Sequence, residues 1–102
     1  MIRYLTIVAA LSATSARAEV DPARGEAFVQ DHCATCHAIG SDGDSPNLNA
    51  PPFRLLGRKY PVASLEEALA EGIFVGHGGM PEFELDPDLI GPVIAYLESI
   101  QN

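Results

Sequence analysis

Cys33-Ala34-Thr35-Cys36-His37 sets two thiols three positions apart with an imidazole beside the second, and these are the only two cysteines of the chain. Thiols at that spacing can each add to a vinyl group of one haem, which leaves the adjacent histidine beneath the iron as an axial ligand. Three other chemistries compete for the same residues. A zinc site needs two further Cys or His ligands at suitable spacing, and only His32 and His77 remain to supply them. A thioredoxin-like redox pair needs a strand before it and a βαβ framework, and no strand pattern precedes the motif. A plain disulfide leaves His37 without a role. One covalently attached haem c, bound through Cys33 and Cys36 with its iron on His37, is therefore the expected cofactor.

Asp42-Gly43-Asp44 places acidic oxygens alternately, as a calcium loop does. It lacks a glutamate at the closing position, so an acidic turn is expected there.

Helices must hold this motif. Asp21-Pro22 reads as an N-cap followed by proline at the first helical position, and the segment runs through Ala23, Ala27, Phe28 and Val29 toward Cys33. The stretch from Ala38 to Pro61 is rich in proline and glycine and predicts loop and turn with little regular structure. Ser64 with Glu67 three residues on forms a capping box, Leu65, Ala68 and Leu69 keep helical spacing, and Gly72 supplies a stop. Gly76-His77-Gly78-Gly79-Met80-Pro81 cannot hold a helix and predicts a loop. Asp86-Pro87 repeats the cap-plus-proline start, and Leu89, Ile90, Val93, Ile94, Leu97 and Ile100 form one apolar stripe of a final helix. Pro92 falls inside that helix and predicts a kink or a later start. The fold class expected is all-α: three to five helices wrapped around one haem.

The chain is 102 residues long, enough for one domain. Its first part reads as an address: Arg3, a mostly apolar run from Leu5 to Ala13, and the small residues of Ala16-Arg17-Ala18 predict a secretory signal peptide cleaved after residue 18. The apolar run is well short of the roughly 20 residues a membrane span needs. Residues 19–102 are then the working domain: 84 residues with a formal charge of −10, since Arg3 and Arg17 leave with the leader. Such a surface repels phosphate backbones and anionic lipid, so neither nucleic acid nor membrane is an expected partner. At that size a core gains little margin from side chains alone, and a cofactor is expected to complete it.

From Gly25 to about Ile100 the sequence resembles the class I c-type cytochromes, monohaem electron carriers of the bacterial periplasm and of mitochondria. Gly25, Phe28 and the Cys33-to-His37 run match the family's first helix and haem motif. Gly25 and the Val93-Ile94-Ala95-Tyr96-Leu97 run resemble the partners of its crossing between first and last helices. The resemblance implies a sixth iron ligand on a later loop, and Met80, followed by Pro81, matches it. Met80 is also the only methionine left once Met1 is removed. His77 is the rival ligand, three residues away. The family uses a proline carbonyl to accept from the iron-bound imidazole. Pro46 and Pro51 are both candidates the sequence does not separate, with Pro51 carried among the expected cofactor contacts. Leu55-Leu56-Gly57-Arg58 resembles the stretch that closes over a haem propionate, with Arg58 as its charge partner.

With both axial positions filled by protein, no open site remains for a small-molecule substrate, and the expected activity is electron transfer rather than enzymatic turnover. The expected partners are redox proteins with basic docking patches, met as a monomer in transient complexes. Two alternatives stay open: a permanent cytochrome subunit of an oxidoreductase complex, and a gas-binding or peroxidatic haem protein that lacks Met80 on its iron.

Overall fold

The computed structural model describes residues 3, 4, 6, 20–72, 80, 81 and 84–102. The expected signal peptide therefore lies almost entirely outside the described residues, as do His77 and the glycines around it. The described residues form three α-helices and two short 3-10 segments, with no strand among them. None of these helices is long and apolar enough to cross a membrane.

Helix α1 spans Pro22–His32 and starts as its first residues dictate: Asp21 is extended, and its carboxylate accepts from the Ala23 N–H at 2.9 Å. A 3-10 helix covers Phe53–Arg58 and a second 3-10 turn covers Val62–Ser64. The first of these lies in the stretch expected to carry little regular structure. It follows Pro51-Pro52, and Pro52 sits extended at its N-cap.

Helix α2 spans Leu65–Glu71 and ends on Gly72, whose φ of 70° is left-handed and suits glycine at a helix stop. The expected capping box is absent. Ser64 has helical dihedrals instead of extended ones, and its hydroxyl donates back to the Pro61 carbonyl at 2.7 Å. Helix α3 spans Pro87–Ser99 and runs continuously through Pro92.

The crossing of α1 over α3 is the main contact of the fold. A Cβ on Gly25 would lie 2.0 Å from the Pro92 carbonyl oxygen, so the two backbones touch where only glycine fits. One turn further along α1, Val29 is 1% exposed and enters a cluster with Phe53, Leu56, Val93, Ile94 and Leu97. Each such side chain contributes roughly 1.5–3 kcal/mol by leaving water. The Leu85 N–H donates to the Leu69 carbonyl at 2.9 Å, which ties the approach to α3 onto α2.

Candidate haem site

The Cys33-to-His37 motif begins where α1 runs out. Cys33 caps the helix with its N–H on the Val29 carbonyl at 2.8 Å, and the Cys36 and His37 N–H groups both return to the Cys33 carbonyl, at 3.2 and 3.0 Å. The chain thus turns on itself and brings the imidazole back under the end of the helix.

The following loop is laced onto the motif at four points. Asn47 N–H donates to the Cys36 carbonyl at 3.0 Å, and Phe53 N–H donates to the Ala38 carbonyl at 3.0 Å. The buried Ser45 hydroxyl accepts from the Ala38 N–H at 2.9 Å. The Pro51 carbonyl stands 2.8 Å from His37 Nδ1. With Nδ1 as donor, the lone pair of the ring resides on Nε2, the nitrogen a metal would take. The Phe53 ring packs on the imidazole, centroids 4.5 Å apart and planes at 34°.

His37 is 6% exposed and lines an apolar cavity of about 690 Å³, counting its open mouth. Every helix contributes to the wall: Val29 from α1, Phe53 from the first 3-10 helix, Leu69 from α2 and Val93 from α3. Cys33 and Met80 lie on the same wall as His37. Cys36 is half-buried, and Arg58 is exposed at the end of the 3-10 helix. The nearby Arg54 is occupied differently, its guanidinium donating to the Gly43 carbonyl at 2.6 Å.

These residues fit a haem. The cavity offers apolar walls to a flat macrocycle, with one imidazole and one thioether among its lining groups. They do not suit a reactive redox dithiol. Burial pushes the Cys33 thiol up to about 11, whereas a reactive redox cysteine needs a lowered value. Among the described residues no three His, Cys, Asp or Glu side chains gather as a metal cluster would require.

Phe53, Ser45 and Gln101 also belong to the surroundings of His37 and are not singled out by the sequence pattern. For Phe53 a signal existed, since it is the aromatic that directly follows Pro51-Pro52 in a mostly polar loop. Ser45 has no such mark.

The model of a family described as cytochrome c oxidase, cbb3-type, subunit III matches residues 20–97. Cytochrome c6 of Picosynechococcus is 36% identical over 100 residues, covering 91% of this chain and 86% of the relative. Cytochrome c-552 of Bradyrhizobium diazoefficiens is 26% identical over 95 residues, covering 93% of this chain and 89% of the relative. No solved structure matches significantly.

Proposed function

This chain belongs to the class I c-type cytochromes, electron carriers with one covalent haem c, and from that premise we propose that it shuttles single electrons in the periplasm with His37 and Met80 on the iron. The observation that carries this reading is the wall shared by Cys33, His37 and Met80, with His37 held from behind by the Pro51 carbonyl at 2.8 Å. In this reading Cys33 and Cys36 would hold the haem through two thioether links to its vinyl groups. The Pro51 carbonyl fixes the imidazole ring and strengthens it as a donor. The Met80 thioether, soft and weakly donating, would favour the reduced metal and raise the potential above that of a two-histidine site. The haem supplies the one-electron couple of its iron. Arg58, exposed on the 3-10 helix whose Leu56 lines the cavity, is the proposed partner of a propionate.

The apolar run and the Ala16-Arg17-Ala18 site support export, with cleavage after residue 18 leaving 19–102 as the mature domain. The mature charge of −10 supports partners with basic docking patches, engaged in brief contacts by a monomer.

The test is the absorption spectrum of the protein purified from the periplasm, oxidised and reduced, with and without carbon monoxide. A low-spin c-type spectrum with the weak far-red sulfur-to-iron band, unchanged by the gas, is the expected result. A spectrum that lacks the band and responds to the gas would transfer the weight to gas binding or peroxidatic chemistry. Failure to recover haem-bearing protein from the periplasm would count against the assignment of location.

The description of the matching family favours a second reading, a resident subunit of a larger oxidase-type complex. Native purification separates the two, because a carrier elutes alone and a subunit travels with its catalytic partner.

A further inference from the structure

Just beyond α3 the side chain of Gln101 turns back onto the 3-10 helix. Its Oε1 accepts from the Gly57 N–H at 2.6 Å, and its Nε2 donates to the Phe53 and Leu97 carbonyls, each at 2.7 Å. A primary amide supplies one acceptor and two donors in a single plane, and all three are used here. The contact is close: a Cβ on Gly57 would stand 2.9 Å from Oε1. Gln101 thus grips the first residue of the 3-10 helix and its penultimate one, and ties both to the end of α3.

Phe53 is the residue that joins this clamp to the haem site. Its carbonyl is held by Gln101, its N–H is held by the Ala38 carbonyl at 3.0 Å, and its ring lies against His37. The imidazole therefore has two identified restraints, the Pro51 carbonyl and the Phe53 ring. The second is placed from the far end of the chain.

We propose that Gln101 is a positioning residue for His37: by fixing the Phe53 backbone against α3 it sets where the Phe53 ring meets the imidazole, and with it the rotation of that ring about its bond to the iron. This role rests on His37 being an axial ligand. The orientation of an axial imidazole governs its overlap with the metal and the spread of unpaired spin over the macrocycle, so Gln101 acts on the electronic properties of the site without touching it.

The experiment uses the haem-loaded protein and two variants. Gln101→Met keeps the length and loses all three bonds. Gln101→Glu keeps the acceptor for Gly57 and turns a second oxygen toward the Phe53 and Leu97 carbonyls. Reduction potentials are measured together with the proton NMR spectrum of the oxidised form, in which the haem methyls and the His37 ring carry paramagnetic shifts. The expected result is a displaced potential and a changed spread of haem-methyl shifts in both variants. Asp21→Ala, which removes the cap of α1, serves as the control that lowers stability without moving either. Variants that melt earlier but keep the parent potential and methyl pattern would reduce Gln101 to a structural contact and overturn the proposal. So would variants that fail to take up haem at all. Absence of shifted His37 ring signals in the parent protein would instead overturn the ligand assignment on which the role depends.

Discussion

His37 and Met80 line the same cavity and offer a metal different chemistry, an imidazole and a thioether. His37 is locked by the Pro51 carbonyl and the Phe53 ring, whereas Met80 is half-buried on the cavity wall and followed at once by Pro81. Removing the thioether leaves the histidine side intact. Met80→Ala is expected to retain covalent haem, lower the reduction potential and admit carbon monoxide, checked by titration and by gas difference spectra. A variant that kept its potential and stayed closed to the gas would direct attention to His77. At this scale the sequence was legible where covalent chemistry demands fixed spacing, as in Cys33 to His37. It was silent where a loop chooses its path: Pro46 and Pro51 look alike in sequence, and the Pro51 carbonyl is brought to Nδ1 by the Asn47, Ser45 and Phe53 bonds acting together. Ser45 reads as an ordinary turn residue, yet it is 6% exposed and satisfies the amide next to the ligand.

Helix starts and stops were legible because their signals are local: Asp21-Pro22, Asp86-Pro87 and Gly72 bound elements that the structure places within a residue or so of them, although Asp86 holds the N-cap position without a side-chain cap bond. Ser64 failed as a cap because the preceding 3-10 turn holds it in helical dihedrals. The crossing of α1 and α3 depends on one missing side chain. Gly25→Ala would drive a methyl onto the Pro92 carbonyl and separate the helices around Val29, at a cost of at least about 1–3 kcal/mol, read from the denaturant midpoint. A second link, invisible in sequence because 57 positions separate its ends, is the Tyr96 hydroxyl donating to the Ile39 carbonyl at 2.5 Å. Burial, and then the charge of Glu26, raise that phenol above its ordinary 10.0. The folded state therefore keeps the proton after the unfolded chain has lost it. This contribution is complete below pH 10 and fades as pH climbs through the folded value. Tyr96→Phe is expected to lose about 1 kcal/mol at neutral pH and to show a shallower alkaline decline, followed by thermal melts across pH, with Tyr60 supplying part of what remains.

Residues 19–102 carry a formal charge of −10 on four basic and fourteen acidic residues. Electrostatic steering of that kind accelerates encounter with a basic partner by roughly 10- to 1,000-fold and collapses with added salt. Stopped-flow electron transfer to a basic redox protein is expected to slow steeply between low and physiological ionic strength. An acidic acceptor should show the opposite trend. Salt-independent rates with both would separate docking from net charge.

The cavity wall draws on every helix, and Val29, Phe53, Leu56, Val93 and Leu97 belong both to it and to the core. A newly made chain that has not met its cofactor consequently has its core lining open to water, the state that proteases clear first. Cofactor delivery is therefore expected to set how long the chain survives. In cells starved of haem, pulse-chase labelling is expected to show unchanged synthesis and a shortened lifetime, so that the amount of the chain becomes a record of how much haem has reached it.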